Sequence, residues 1–244
     1  MEMNEQTQLA WNIIETTNTN LFLTGKAGTG KTTFLRRLKT ESSKRIIVVA
    51  PTGIAAINAE GTTIHSFFQL SFAPFIPDAQ YKTKEQQYRF SKQKIRVIQS
   101  IDTLVIDEIS MVRADLLDAV DAVLRRFRKN NLPFGGVQMV MIGDLGQLAP
   151  VAKDDEWQLL SRYYATPYFF SSLALQRTRY AIVELKTVYR QNDQRFLDIL
   201  NKVRDNRADA SVLAALNSRY IQGFQPDADE GYIRLVTHNF QAQR

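Results

Sequence analysis

Cysteine is missing altogether from this chain of 244 residues. That absence excludes a disulfide framework, a thiolate zinc site and a cysteine nucleophile, and it suits a reducing interior. Long apolar runs are missing too: none approaches the ~18 residues of a membrane span. The polar start Met1-Glu2-Met3-Asn4-Glu5 resembles neither a secretory signal nor an Arg-rich transit peptide. A soluble, intracellular protein without a membrane partner is therefore expected. There is no internal repeat and no low-complexity tract. A strong imbalance of charge is missing as well, with 31 Lys plus Arg against 25 Asp plus Glu, a net +6. Such an excess suits a polyanionic partner without requiring one. What the chain does have is a 44% hydrophobic content, enough for one or two packed cores.

Apolar spacing organises that content. Leu9, Ile13 and Ile14 recur at helical intervals, and so do Phe34, Leu35 and Leu38. Leu21–Leu23, Ile46–Val49, Leu104–Ile106 and Met139–Ile142 are short continuous runs of the kind buried on both faces of a parallel sheet. A helix with Leu116, Leu117, Val120, Val123, Leu124 and Phe127 on one side carries Asp115, Asp118, Asp121, Arg125 and Arg128 on the other. Strands alternating with amphipathic helices predict a three-layer α/β domain. Two stretches depart from this pattern. Residues 71–94 hold Pro74, Pro77 and interleaved aromatics, and read as an insertion. After about residue 175 come a strand-like Ile182–Leu185, helical patterns near 196–203 and 212–216, and a last strand-like Ile233–Val236. The expected division is a first lobe over 1–175 and the opening of a second, incomplete lobe over 176–244.

Gly25-Lys26-Ala27-Gly28-Thr29-Gly30-Lys31-Thr32 follows the first strand and opens a helix that continues with Thr33. Three glycines let the backbone turn its N–H groups toward a polyphosphate, and the helix dipole adds positive field. Lys31 is expected to reach the β and γ phosphates of ATP, and the Thr32 hydroxyl to ligate Mg²⁺. Asp107-Glu108 ends the Leu104–Ile106 run, at the sheet edge where ligands gather. Asp107 is the second expected Mg²⁺ ligand, and Glu108 the residue that orients and polarises water. Gln147, in Gly143–Val151 after the next strand, is placed to sense the γ phosphate.

Together these strings resemble a known family. Asp107-Glu108-Ile109-Ser110-Met111 and Gly143-Asp144-x-x-Gln147-Leu148-x-Pro150-Val151 are similar to motifs II and III of superfamily-one helicases. The segment Asp121–Asn131, running into Pro133-Phe134-Gly135-Gly136-Val137-Gln138, resembles the signature of the PIF (petite integration frequency) family of DNA helicases, superfamily 1B. Pro51-Thr52-Gly53, and Gly61 to Phe67 with His65, resemble its strand-tracking motifs Ia and Ib. Leu185-x-x-Val188-Tyr189-Arg190-Gln191 resembles motif IV, and Gln8 stands where the family places an adenine-reading glutamine. The resemblance implies a P-loop NTPase lobe of RecA type with a wedge-like insertion and the start of a second RecA-like lobe. It implies 5′ to 3′ movement on single-stranded DNA, opening of forked duplex or G-quadruplex DNA, a monomeric motor, and roles in replication, repair, recombination or telomere maintenance. Motifs V and VI are not seen before Arg244, so a fragment without autonomous unwinding is the alternative expectation.

Several roles stay open from the residues alone. Thr52 and Gly53 either bind a DNA phosphate or simply cap a helix. His65 and Phe67 either touch the strand or pack. Phe72, Pro74 and Phe75 either stack on bases or form a small core of the insertion. Arg190 either stabilises the leaving phosphate or sits in a surface ion pair. Rival functions are a nucleotide-switched DNA-binding module, a P-loop kinase acting on a small molecule, and a non-enzymatic scaffold.

Overall fold

A computed structural model of the chain describes residues 4–77, 90–189, 193–227, 230–233, 235, 236 and 241. The apolar runs become strands β1 (Asn20–Gly25), β2 (Ile46–Ala50), β3 (Thr62–Thr63), β4 (Thr103–Ile106), β5 (Gln138–Gly143) and β6 (Tyr180–Leu185). Among the described residues they form one sheet in the order β3-β2-β4-β5-β1-β6, with every pairing parallel. The period of two along each strand sends alternate side chains to opposite layers. Leu21, Leu23, Val48, Val105, Val140 and Ile142 share a core with Ile14 of α1 (Glu5–Thr16) and with Leu35 and Leu38 of α2 (Lys31–Glu41). On the other face, Phe22, Val49, Leu104, Ile106, Met139 and Met141 share one with α4 (Ile64–Phe68), α5 (Lys92–Ser100) and α6 (Ala114–Arg128). α3 is the short helix Gly53–Asn58. The three-layer α/β expectation holds. No helix among the described residues is long and apolar enough to cross a membrane.

The polar side of α6 is not a solvated face. Asp115, Asp118 and Asp121 are all buried, each satisfied by groups from a different segment. Asp118 accepts from Tyr164 Oη at 2.9 Å, Ser172 Oγ at 2.5 Å and the N–H groups of Leu173 and Ala174 at 3.1 and 2.9 Å. Leu173 opens α8 (Leu173–Gln176). Asp121 accepts the Phe134 N–H at 2.6 Å. The signature-like segment is thus a fastening. Gly135 takes φ +60°, and a Cβ there would lie 2.8 Å from Leu124 O. Arg128 ties the same turn down through Gly135 O and, on its other arm, to the carbonyls of Ile98, Gln99 and Ile101. Gln138, buried at the start of β5, donates to Ile13, Thr17 and Thr19 carbonyls and accepts from Lys44 and Thr103.

Three boundaries move. The strand expected to open a second lobe is β6, paired with β1 from Asn20↔Tyr180 to Gly25↔Leu185. The chain divides into compact units Met1–Asn192 and Asp193–Arg244, later than the expected residue 175, because β1 needs a neighbour on its outer side. The insertion is also shorter than 71–94. Residues 71–77 are irregular, Asp78–Arg89 lie outside the described residues, and α5 already begins at Lys92. In the second unit, α9 (Gln194–Arg204) and α10 (Ala210–Asn217) are capped by Asp193 and Asp209. Of the strand expected at Ile233–Val236, the described residues 233, 235 and 236 are irregular and exposed, with no strand beside them among the described residues.

Candidate nucleotide site and an adjoining cleft

Strand register builds the first site. Ile106 is level with Met141, and Met141 with Phe22. The carboxylates after β4, the turn after β5 and the loop after β1 therefore emerge side by side at the carboxyl edge of the sheet. β1 ends at Gly25, where a Cβ would lie 2.6 Å from Leu185 O of β6, so only glycine lets the loop start this close to its neighbour. Gly30, at φ +90°, turns the backbone into α2 at Lys31. Lys31 Nζ donates to Gly25 O at 2.6 Å and Lys26 O at 3.1 Å. Buried Thr29 closes the loop by donating to Lys26 O at 2.8 Å. Ala27 and Gly28 form its crest, and Gly28 O accepts the Tyr189 N–H at 2.8 Å. Thr32 and Thr33 stand in the first turn of α2.

Asp107 and Glu108 follow β4 directly. Burial pushes the Asp107 carboxyl up to about 6; the nearby Glu108 charge adds to the rise, while a Glu108 hydrogen bond and the Lys31 ammonium oppose it. Lys31 and Asp107 are therefore close enough to feel each other, as a shared nucleotide site requires. Glu108 itself adopts a left-handed φ of +51° before the tight turn Ile109–Met111. A non-glycine residue in that region carries strain, which concentrates at functional sites. Loop N–H groups, an ammonium, a hydroxyl and a carboxylate make a set suited to a polyphosphate with Mg²⁺, a cation that prefers oxygen ligands.

After β5, Asp144 is buried and accepts from Gly146 N and Gln147 Nε2, both at 3.0 Å. Gln147, exposed, is thus held by the turn that carries it. A cleft of about 450 Å³ lies over α2, lined by Thr7, Thr29, Gly30, Thr33, Arg37 and Tyr189. Gln8 is absent from this lining; exposed on α1, it donates to Asn12 at 2.9 Å. Tyr189, whose part in this cleft the sequence reading missed, is anchored at both ends, its hydroxyl accepting from Asn4 Nδ2 at 3.1 Å. Arg190 lies outside the described residues.

A second cleft, of about 260 Å³, gathers most of the strand-contact candidates: Pro51, Thr52, His65, Phe72 and Phe75, with Val151 opposite. Phe72 is 82% exposed and stacks on His65, ring centroids 4.5 Å apart and 23° from parallel. Burial, seconded by the Arg113 cation and opposed by the Asp115 charge, lowers the His65 pKa. Thr52 does cap α3, accepting the Ala55 N–H at 3.2 Å, while also lining the cleft. Gly53 and Pro74 are not part of the lining. Phe67 is not at the surface at all: it is buried in the core against Phe68, with Lys94 Nζ 3.3 Å from its ring centre. Ile64 and Phe68 already commit that face of α4 inward. The floor is Arg113 and Asp115, which no motif announced.

The family model described as PIF1-like helicase matches residues 3–212. The chain is 39% identical over 191 residues to the ATP-dependent DNA helicase PIF1 of Saccharomyces cerevisiae, covering 76% of this chain and 21% of that protein. A crystal structure of Pif1 helicase from Bacteroides in complex with ADP-AlF3 and ssDNA superposes with a TM-score of 0.92 at 42% identity, over 100% of this chain and 56% of that one. A structure of two coordinating Pif1 helicases at forked dsDNA gives 0.84 at 44% identity, over 89% and 52%. The chain thus spans about a fifth of the yeast relative and about half of each matched structure.

Proposed function

The chain belongs to the PIF1-like helicase family, and from that premise we propose that it is the nucleotide-hydrolysing part of an ATP-dependent DNA helicase. In this reading the protein moves 5′ to 3′ on single-stranded DNA and opens forked duplex or G-quadruplex DNA as a monomeric motor. Residues 193–244 begin its second RecA-like lobe. The observation that carries the reading is the adjacency of Lys31, Asp107 and Glu108 at the same sheet edge as the cleft-lining Pro51 and Thr52.

The loop from Gly25 to Gly30 binds the phosphates through its N–H groups, and Lys31 leaves its carbonyl partners for them. Thr32 and Asp107 would hold Mg²⁺, which supplies neutralisation of phosphate charge. Glu108 orients the attacking water and takes its proton. Arg190 is assigned to the charge on the leaving phosphate, and Gln147 to sensing its loss. Tyr189 frames the base, and Gln8 is assigned to reading it after leaving its bond to Asn12. The strand lies against Thr52, Gly53 and His65, with Phe72, Pro74 and Phe75 offered to bases, since aromatic platforms beside cations are how single strands are held.

The test is hydrolysis by the full-length protein with and without oligo-dT, followed by unwinding of forks carrying only a 5′ or only a 3′ tail. Stimulation of turnover and unwinding confined to the 5′-tailed fork are expected. Turnover indifferent to oligo-dT would overturn the reading in favour of a small-molecule kinase. Affinity for oligo-dT that follows the bound nucleotide, without any unwinding, would favour a nucleotide-switched binding module.

A further inference from the structure

An ionic chain beneath the second cleft has no place in the roles assigned so far. Arg113, just before α6, directs all three guanidinium nitrogens into the protein. Nε and Nη2 donate to the two carboxylate oxygens of Asp115, each at 2.8 Å, and Nη1 donates to Glu156 Oε2 at 2.7 Å. Both carboxylates then hold backbone. Asp115 Oδ2 accepts the Phe75 N–H at 2.9 Å, at the root of the insertion. Glu156 Oε2 accepts the Lys153 N–H at 3.3 Å, where α7 (Asp154–Leu160) begins. An unbroken path thus runs from Lys153, two residues past the Gly143–Val151 segment, to Phe75 on the wall of the cleft.

Little of this path meets water: the Arg113 and Asp115 side chains are 14% and 3% exposed, and Glu156 21%. Three desolvated charges are a poor way to gain stability, because apolar residues of similar volume do as well or better. What they provide instead is directional linkage. A bidentate pair cannot shear without losing a hydrogen bond, so movement at one end is passed to the other.

We propose that Glu156, Arg113 and Asp115 are positioning residues that carry the state of segment 144–153, which starts after β5 at Asp144 and itself lines the cleft at Ala149 and Val151, to the insertion root, and so set the shape of the cleft at His65 and Phe72. The inference rests on the reading of that cleft as the DNA side. A shift of segment 144–153 displaces Lys153 and the cap it shares with Glu156. Arg113 follows its third arm, Asp115 follows the fork, and Phe75 follows Asp115. His65, whose ring feels the charges of both Arg113 and Asp115, lies over the moving part.

The deciding variant is Glu156→Gln in the full-length protein, since Glu156 lies outside the lining of both clefts. DNA-free hydrolysis is expected to stay within about twofold, while the oligo-dT concentration for half-maximal stimulation rises about tenfold, an ordinary size for coupling between sites. Arg113→Lys keeps the charge but loses the fork, and combining it with Glu156→Gln adds nothing further if the two act as one path. Trp157 gives a second readout, since it neighbours Glu156 and shares a small cluster with Ile76 and Tyr164. In a full-length background where Trp157 is left as the sole tryptophan, its emission shifts when oligo-dT is added to the parent, and not in Glu156→Gln. A parent stimulated by oligo-dT whose Glu156→Gln variant responds equally, at the same half-saturation and with the same Trp157 shift, overturns this inference alone. A parent that neither binds nor responds to oligo-dT overturns the functional reading and this inference with it.

Discussion

At the scale of single residues, the two carboxylates after β4 are held in opposite ways. Glu108 is bent out of the strand by its own left-handed backbone, whereas Asp107 is drawn into the fold. Glu108→Gln keeps size and shape and removes the base, so ATP affinity should persist while turnover falls about 10²- to 10⁴-fold. Equilibrium binding of a fluorescent ATP and single-turnover hydrolysis check this together; loss of binding would remove Glu108 from the role given to it. Asp107 makes a prediction about stability. Its carboxyl titrates near 6 in the fold, raised mainly by burial, and near 3.9 when unfolded. Between those values the folded state holds the extra proton, so in metal-free protein stability falls as pH rises from about 4 to 6 and is flat above. Asp107→Asn should therefore be up to about 3 kcal/mol more stable than the parent at pH 7.5 and no more stable at pH 4, while losing hydrolysis. Urea midpoints at the two pH values decide it, and an equal difference at both would be incompatible with a raised carboxyl. These residues were legible in the sequence because phosphate chemistry fixes their types and spacing. Arg113 and Asp115 were not, since a charge two residues from its partner looks the same on a solvated surface as beneath a cleft.

At the scale of elements, α6 shows what periodicity does and does not convey. Its apolar stripe from Leu117 to Leu124 announced both the helix and its core face. The same spacing placed Asp115, Asp118 and Asp121 together on the other side, and nothing in a pattern of 3.6 separates a face turned to water from one covered by other parts of the chain. The coverage comes from Phe75, before the helix, for Asp115, and from residues 134, 164 and 172–174, after it, for Asp118 and Asp121. Phe67 misled for a related reason: the stretch from Gly61 to Phe67 resembled a strand-contact motif, but only the fold shows that Ile64, Phe67 and Phe68 turn inward together on one short helix. Asp118→Ala would strand two hydroxyls and two N–H groups in the interior and is expected to cost about 3–5 kcal/mol, against less for Asp118→Asn, which keeps one acceptor oxygen. Chemical denaturation measures both. A cost below about 1 kcal/mol for Asp118→Ala would mean that water replaces the carboxylate.

At the scale of the whole molecule, the weakest expectation was where one body stops, and β6 explains why. A strand-like run after a change of character reads as a new beginning when nothing in the sequence names its partner. In the fold its partner is β1, the first strand of the chain, some 160 residues earlier. The pairing reaches the nucleotide site itself, because Leu185 packs against Gly25 where the phosphate loop departs. Val183 and Leu185 are buried in the core of α1 and α2, each contributing about 1.5–3 kcal/mol, and the ladder along β1 adds to them. Their sum is comparable to the 5–15 kcal/mol that holds an ordinary domain together. Residues 1–192, which form a compact unit, should then unfold cooperatively and bind a fluorescent ATP within about threefold of the longer chain. Residues 1–175, ending where the change of character suggests a boundary, should lack near-ultraviolet circular dichroism and bind no nucleotide. A cooperative melt and tight nucleotide binding by residues 1–175 would place β6 outside the first body and restore the earlier boundary.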